Sequence, residues 1–272
     1  MSAKNLLVEL FVEELPPKAL KKLGEAFAAG LAGSLAEQGL VDRDALARLQ
    51  PFASPRRLAV LVPAVAAKGA DRALRQKLMP VAVALDAAGN ATPALLKKLA
   101  ALGADASVVP QLQRAPDGKA EALFLDSTVP GATLAEGLQK ALDEALAKLP
   151  IPKVMTYQLE SGCAQPGWDS VHFVRPAHRL VALHGADVVP VRVLGLQAGR
   201  VTQGHRFEAA QPELTLRDAD SYAQQLADEG AVIAGFAARR ADIQRQLAAV
   251  AATAGAGLTP IDDDALLDEV TA

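Results

Sequence analysis

The change of hydrophobic period between residues 5 and 35 constrains the fold most strongly. Asn5–Val12 is rich in Leu and Val and alternates in a way that predicts a strand. Pro16 and Pro17 follow, and a proline in the first turn of a helix sacrifices no helical hydrogen bond. Apolar residues then recur at three- and four-residue spacing, which predicts an amphipathic helix. They are Leu20, Leu23, Phe27, Leu31 and Leu35.

Strand-like and helix-like patterns remain interspersed along the rest of the chain. Thr133 and Glu136 have the spacing of a capping box, which predicts that a helix begins there and runs to Pro150. Further strands are predicted at Arg57–Val62 and Glu121–Val129. Further helices are predicted at Pro93–Leu102, Asp218–Asp228 and Phe236–Ala254, with a short acidic helix after Pro260.

A predicted hairpin decides the fold class. Arg179–His184 and Val188–Leu194 are β-rich runs joined through Gly185, Ala186 and Asp187. Because a hairpin excludes a purely parallel sheet, we expect an α+β fold with a mixed sheet, flanking helices and two lobes. The expected division is an N-terminal α/β lobe at 1–155, a loop or insertion at 156–171, and a β-hairpin plus helical lobe at 172–272 that continues into further C-terminal domains.

The net charge and the cysteine content bear on whether the chain binds nucleic acid and on the cellular compartment in which it works. The net charge of −3 argues against nucleic-acid binding through overall basicity, although the stretch between Leu46 and Pro80 is locally basic. The single cysteine, Cys163, excludes an internal disulfide and fits a reducing compartment. The longest apolar run, Leu58–Ala67, is far shorter than the roughly 20 residues of a membrane helix. We therefore expect a cytoplasmic protein without a membrane partner.

Common catalytic and metal-binding patterns are absent from the sequence. It contains no phosphate-binding loop of the G-x-x-x-x-G-K-[ST] type, no G-x-G-x-x-G turn after a strand and no G-x-S-x-G nucleophile elbow. The four histidines lack the short helical spacing of a zinc site, and Cys163 has no partner cysteine. The sequence therefore predicts no catalytic residue and no metal ligand.

Five short segments combine cations, prolines and aromatic residues in a way that suits RNA. Glu13–Lys18 joins a strand to a helix through a double proline, and Ser54–Leu58 places two arginines at a strand entrance. Leu149–Lys153 ends a helix in a stiff segment, while His172–Pro176 and Gly204–Phe207 put cations beside an aromatic ring. Arginine forks bind phosphate, and aromatic rings stack on bases. Singly, each segment is explained as well by ion pairs within the fold.

Five sequence runs, taken in order, resemble the β subunit of bacterial glycyl-tRNA synthetase. They are E-E-L-P-P-K-A-L, P-R-R-L, L-P-I-P-K, H-F-V-R-P and G-H-R-F. The run L-L-D-E-V also fits, so the resemblance extends over essentially all 272 residues. Two features depart from the family pattern. Phe11 and Val12 stand where a Gly-Thr-like pair is expected, and the segment between Met155 and His172 is longer than usual.

The resemblance implies a division of labour between two kinds of subunit. In that family a smaller α subunit with the class II catalytic fold makes glycyl-adenylate, so ATP, glycine and Mg²⁺ are expected there and no cofactor is expected in this chain. The β subunit joins it in an α2β2 tetramer, supplies recognition of tRNA(Gly), and continues into HD-like and anticodon-binding domains. This chain is therefore expected to be non-catalytic and inactive alone.

The same resemblance and the cationic segments together suggest tRNA-backbone contacts. The candidate residues are Arg56, Arg57, Lys153, Arg175, His205 and Arg206. Phosphate contacts position an RNA without reading its sequence, so these residues would add affinity more than identity. Two alternatives remain open at this point. The residues could bridge parts of the fold or bind the remainder of β, and the region could dock the α subunit without touching RNA.

Overall fold

The computed structural model describes residues 3–86, 88–118, 120–255 and 257–272. Its strands are β1 (Lys4–Val12), β2 (Gln50–Ser54), β3 (Arg57–Val65), β4 (Arg72–Pro80), β5 (Gln113–Asp117), β6 (Ala120–Val129), β7 (Met155–Gln158), β8 (Ser170–Phe173), β9 (Ala177–His184), β10 (Asp187–Val188), β11 (Arg192–Val193), β12 (Leu196–Gly199), β13 (Val201–Gln203) and β14 (Glu213–Thr215). Its α-helices are α1 (Pro17–Glu37), α2 (Val81–Ala84), α3 (Pro93–Ala101), α4 (Leu134–Ala147), α5 (Tyr222–Asp228), α6 (Phe236–Ala254) and α7 (Asp264–Thr271). Short 3-10 turns lie at Arg43–Arg48 and Ala106–Gln111.

The chain forms two compact units whose boundaries fall at Gly69 and Ala132. The larger unit contains the residues up to Gly69 and those from Ala132 onward, and the smaller unit contains Ala70–Gly131. The expected division into 1–155, 156–171 and 172–272 does not coincide with these units. The physical reason is that β9, from the expected second lobe, pairs with β1 along most of its length. Residues on both sides of the expected boundary thus build one sheet.

A mixed sheet forms the centre of the larger unit. The strand order is β11-β12-β9-β1-β3-β2, and β10 adds to the edge of β9. β12 runs parallel to β9, whereas the other neighbours are antiparallel. Helices lie beside strands in both units, so the predicted α+β class with a mixed sheet and flanking helices is confirmed. This sheet carries the loops that hold the candidate site.

Both faces of β1 are buried. Successive side chains of a strand point to opposite sides of the sheet, so β1 contributes to two separate hydrophobic clusters. Leu6, Val8 and Leu10 belong to the cluster that packs against α1 and α4. Leu7 belongs to a second cluster, which includes Tyr222 of α5. Strand β1 is therefore covered by helices on one side and by the α5 region on the other.

Two β-rich regions differ from the sequence-based expectation. The predicted hairpin is correct at its turn, where Gly185 adopts φ +60° between β9 and β10. The second arm is wrong as a continuous strand, because Pro190 has no N–H to donate and separates β10 from β11. Residues 156–171, expected to be a loop, contain an antiparallel hairpin of β7 and β8 around residues 159–169.

Most helix predictions agree with the structure. The capping box is confirmed, since Thr133 accepts a hydrogen bond from Glu136 N and the Glu136 carboxylate accepts one from Thr133 N. The helix predicted from Asp218 instead begins at Tyr222, because the Asp218 side chain accepts from Ser221 N and holds a turn. Within the described ranges, no helix combines the length and apolar character needed to cross a membrane.

The smaller unit has its own core. Its three-stranded sheet has the order β4-β6-β5 and is antiparallel throughout. Leu95 and Leu99 of α3 pack with Leu78 of β4 and Leu123 of β6. Thr92 caps α3 by accepting a hydrogen bond from Leu95 N, and Pro93 occupies the first turn.

Candidate functional site

A cleft of about 420 Å³ in the larger unit brings together four of the six candidate residues. Arg56 and Arg57 enter it from the turn between β2 and β3, and His205 and Arg206 enter it from the segment after β13. The N-terminal part of α6 and the last residues of α7 form the remaining wall. Two segments that are far apart in sequence therefore meet here.

Arg56 is held at the cleft by contacts with the end of β1. Its Nε donates to the Val12 carbonyl at 3.3 Å, and its Nη2 lies 3.5 Å from Glu13 Oε1. Its guanidinium also lies 4.7 Å from the centroid of the Phe11 ring and 3.9 Å from a carboxylate oxygen of Glu14. Since a fifth of its side chain is exposed, the guanidinium is positioned yet accessible from the cleft.

Arg57 lies in the core instead, with 3% of its surface exposed. Its Nε lies 3.3 Å from Oε2 of the fully buried Glu9 without the geometry of a hydrogen bond. Glu9 also accepts hydrogen bonds from the hydroxyls of Thr202 and Tyr222. Burial, followed by the Glu9 charge, raises the pKa of Tyr222 well above its usual value. Arg57 thus joins β3 to the α5 side of the sheet and presents almost no surface to a phosphate, and its predicted contact with the tRNA backbone stays a prediction.

His205, Arg206 and Phe207 form an exposed segment that Gly204 fixes to the body of the unit. A Cβ at Gly204 would lie 2.9 Å from the Gly230 carbonyl, so only glycine fits this close approach. His205 N donates to that same carbonyl at 2.7 Å. The His205 Nδ1 accepts from Phe207 N and Glu208 N, so in the neutral ring Nε2 carries the proton. The segment is therefore ordered although it is exposed.

The side chains of this segment combine charge with an uncovered ring. The Phe207 side chain is 82% exposed, which is unusual for a phenylalanine in an ordered turn. Its ring lies 6.2 Å from that of His205 in an edge-to-face arrangement. The neighbouring Arg206 is about half exposed and approaches Glu14 at 3.6 Å. An aromatic face and a cation are thus offered side by side.

Arg239 of α6 is a cleft residue that the sequence analysis missed. Its guanidinium donates to the carbonyls of Thr271, Ile233 and Ala53 at 2.7, 2.9 and 3.1 Å. Burial lowers the pKa of Arg239 to about 10, so it remains protonated at neutral pH. The sequence signal that could have indicated Arg239 is the run of cationic and aromatic residues at the start of α6, where Arg239 lies over the Phe236 ring.

The other two candidates do not line this cleft. Arg175 donates from Nε to the Glu14 carbonyl at 2.9 Å, and its Nη1 contacts the Met155 sulfur at 3.2 Å. Through these contacts Arg175 holds in place the segment that carries Glu14, next to the cleft. Lys153 is exposed in the stretch between α4 and β7. The structure thus brings together four of the six residues and places Lys153 elsewhere.

Carboxylates on the segment after β1 balance part of the positive charge. The hydrogen bond from His178, 2.8 Å from Glu13, lowers the pKa of Glu13; burial opposes this effect, and the Arg56 charge adds to the lowering. Glu14 lies between Arg56 and Arg206. Among the described residues that line the cleft, arginine side chains outnumber glutamate and aspartate side chains, so the lining side chains carry a net positive charge.

The arrangement offers groups that can bind an anion and an aromatic base. An arginine fork and an exposed ring can hold a phosphate and a stacked base at the same time. In the part of the chain that the structure describes, no group of three or more His, Cys, Asp or Glu side chains could hold a metal ion. The half-buried Cys163 thiol lies 3.7 Å from the Leu159 carbonyl, outside the cleft.

Comparison with known proteins identifies related sequences. The family model described as "Glycyl-tRNA synthetase beta subunit" matches residues 6–272. The glycine--tRNA ligase beta subunit of Leptothrix cholodnii is 75% identical over 272 residues, and that of Paracidovorax citrulli is 70% identical over 273. The one of Dechloromonas aromatica is 67% identical over 280. Each alignment covers all of this chain but only 37–38% of the relative, so the chain spans little more than a third of their length.

Proposed function

This chain belongs to the glycyl-tRNA synthetase β-subunit family, and from that premise we propose that it contributes tRNA contact and assembly, not chemistry, to a glycine–tRNA ligase. The observation that carries the proposal is the cleft that combines Arg56, Arg206 and Arg239 with the exposed ring of Phe207. The RNA is tRNA(Gly), and the cleft receives an unpaired nucleotide together with its phosphate.

The recognition step follows from the chemistry of the side chains. Arg206 is exposed enough to exchange its long contact with Glu14 for a phosphate oxygen, because a shared carboxylate at 3.6 Å is a weak partner in water. Phe207 offers a face on which any base can stack. Neither contact reads a base edge, so the cleft adds affinity and position, and identity is read elsewhere.

The catalytic parts lie outside this chain in our proposal. A separate α subunit of the class II type binds ATP, glycine and Mg²⁺ and forms the adenylate, and two α and two β subunits assemble in the cytoplasm. The set of residues lining the cleft supports this division, since it offers donors for an anion and no cluster of carboxylates for a metal. Alone, the chain should not consume ATP in the presence of glycine.

The test is binding of a tRNA(Gly) transcript to the wild-type chain and to a variant that carries both Arg206→Ala and Phe207→Ala. Losing one stacked base costs about 1–3 kcal/mol, so affinity should fall by about 5-fold to 150-fold. The slope of log affinity against log salt should also become shallower by about 0.7–0.9 for the lost phosphate contact. Arg245→Ala is the matched control, since Arg245 is an exposed α6 arginine paired with Asp242 outside the cleft.

A second candidate function is subunit docking without RNA contact. The arginines of the cleft already have partners within the chain, above all Arg239, which donates to three backbone carbonyls. Fewer of their donors are then available for an RNA phosphate, which favours this second function. On that reading the double variant and the Arg245 control bind tRNA equally well. Equal affinities and equal salt slopes would therefore reject the RNA-contact proposal in favour of docking.

A further inference from the structure

A strand outside the central sheet carries the exposed segment of the cleft. β13 ends at Gln203, and the residues from Gly204 to Phe207 follow directly. In the described part of the chain, β13 pairs with β14 in a separate two-stranded sheet, and no main-chain ladder joins it to β1 or β3. The position of the 204–207 segment therefore depends on contacts other than the hydrogen bonds of the central sheet.

A buried ion pair supplies two of these contacts. Glu9 of β1 is fully buried, and Arg57 of β3 is 3% exposed with its Nε 3.3 Å from a Glu9 oxygen. Thr202 of β13 is also fully buried and donates its hydroxyl to Glu9. Arg57 Nη2 donates to the carbonyl of Gln203, the residue before Gly204. The two members of the pair thus hold neighbouring residues at the end of β13.

The same ion pair borders the wall of the cleft. Glu9 and Phe11 are two residues apart on β1 and so lie on one face of the sheet, and Arg57 is the cross-strand partner of Phe11. The Phe11 ring centroid lies 4.7 Å from the guanidinium of Arg56 and 5.2 Å from that of Arg57. One ring therefore contacts both the arginine that is accessible from the cleft and the arginine that is buried.

The guanidinium of Arg57 does what an apolar side chain in its place could not do. Desolvation of two buried charges offsets much of their attraction, and apolar residues of similar volume often stabilise a core as well or better. A guanidinium, however, carries several N–H donors in a fixed fork and can reach a carboxylate and a carbonyl at the same time. Arg57 connects Glu9 with Gln203 in this way, which orients the chain where β13 ends.

We propose that Glu9 and Arg57 are positioning residues for tRNA contact. By holding Thr202 and the Gln203 carbonyl, they keep the 204–207 segment in the arrangement that receives a nucleotide and its phosphate. This role rests on the proposed function, in which that segment contacts tRNA(Gly). It gives Arg57 a part in binding although its side chain is buried, because it acts through the backbone at the end of β13.

Two matched substitutions separate positioning from general stability. Thr202→Val and Tyr222→Phe each remove one hydroxyl that donates to Glu9, and both side chains are buried, but Thr202 lies on β13 and Tyr222 on α5. Both variants should lower the midpoint of urea unfolding. Only Thr202→Val should weaken tRNA(Gly) binding, by about twofold to tenfold, because the segment must then be ordered on binding. It should also speed hydrogen exchange of the His205 amide, which donates to the Gly230 carbonyl at 2.7 Å.

Arg57→Lys tests the link to Gln203. A lysine keeps the positive charge beside Glu9, but a single ammonium replaces the fork that reaches both partners. The substitution is made in the wild-type chain and in the double variant that carries Arg206→Ala and Phe207→Ala. It should weaken tRNA binding by about twofold to tenfold in the wild-type chain. In the double variant it should cause no further loss, because positioning acts only through the segment.

Trp168→Ala is the control for removal of an exposed aromatic side chain, since Trp168 is 84% exposed and lies outside the residues that line the cleft. Its tRNA affinity should equal that of the wild-type chain.

Three outcomes would overturn the positioning role while the double variant still loses affinity. Equal loss of tRNA affinity in Thr202→Val and Tyr222→Phe would assign the effect to stability. Unchanged affinity in Thr202→Val would show that the segment needs no such support. Additive losses for Arg57→Lys would mean that Arg57 touches the RNA itself. Normal binding by the double variant would instead reject the proposed function, and hydrogen exchange at His205 would then decide whether the ion pair fixes the segment.

Discussion

Replacing Glu9 by Gln tests whether the buried ion pair holds the two sides of the central sheet together. Glu9 is fully buried on β1, and Arg57 of β3 is 3% exposed beside it. The carboxylate also accepts hydrogen bonds from Thr202 and Tyr222, so one side chain connects β1 and β3 with β13 and α5. The substitution keeps the size of the side chain and removes its charge.

The magnitude follows from what the substitution leaves behind. Removing one partner of a buried ion pair leaves an uncompensated charge and costs about 3–5 kcal/mol. The amide retains one acceptor oxygen, so one of the two hydroxyl donors also loses its partner, at about 1–3 kcal/mol. These effects share a single site and are not additive, so we expect Glu9→Gln to lower the free energy of unfolding by about 3–5 kcal/mol.

Urea unfolding followed by far-ultraviolet circular dichroism measures this loss, and a double-mutant cycle assigns its cause. Arg57→Met alone strands the carboxylate, whereas the combined variant removes both charges and should be less destabilised than the sum of the single variants by about 2 kcal/mol or more. The Arg245–Asp242 pair at the surface of α6 provides the control, and Asp242→Asn should shift the unfolding midpoint far less than Glu9→Gln. A cost below about 1 kcal/mol for Glu9→Gln, or simple additivity in the cycle, would refute the reasoning.

Two further predictions concern packing and pH. Gly24→Ala should destabilise the protein by about 1–3 kcal/mol, because a Cβ there would lie 2.6 Å from Ala53 Cβ. On the same helix, a Cβ at Gly33 would meet nothing within 4 Å, so Gly33→Ala should stabilise the protein by up to about 1 kcal/mol. Thermal unfolding of both variants checks this contrast. Since the pKa of Glu13 is lowered in the folded protein, chiefly by His178, its contribution to stability is present above the unfolded value of 4.5 and is lost as the pH falls through the folded pKa. His178→Ala should therefore weaken the pH dependence of urea unfolding below about pH 4.5, and an unchanged profile would reject this assignment.

The features that could be predicted from sequence are those fixed by nearby residues. The capping box of Thr133 and Glu136 lies within four residues, so its chemistry is readable directly and α4 begins where expected. The pairing of β9 with β1 joins residues more than 160 positions apart, such as Glu9 and Val181. No local pattern encodes that pairing, which is why the expected boundary between lobes fell inside one sheet.

The residues of the candidate site also differ in whether nearby or distant parts of the chain position them. The runs containing Arg56 and Arg206 can be read from the sequence, because turns rich in proline and glycine place cations at the surface, and both residues line the cleft. Arg57 follows Arg56 directly, yet its side chain turns inward, since its partner Glu9 is supplied by the register between β1 and β3. Arg239 lines the cleft because α6 packs beside β2, where Arg239 donates to the Ala53 carbonyl, and the sequence pattern does not specify that packing.

The most direct measurement of the central claim is photo-crosslinking from the cleft. A photoreactive benzoylphenylalanine is placed at position 207, and in a separate protein at position 168, and each chain is irradiated with tRNA(Gly). The account predicts a specific RNA adduct from position 207 that disappears when Arg206 is also replaced by Ala, and none from position 168. Binding that persists without an adduct at position 207, or equal adducts at both positions, would contradict a tRNA-contacting role for the cleft.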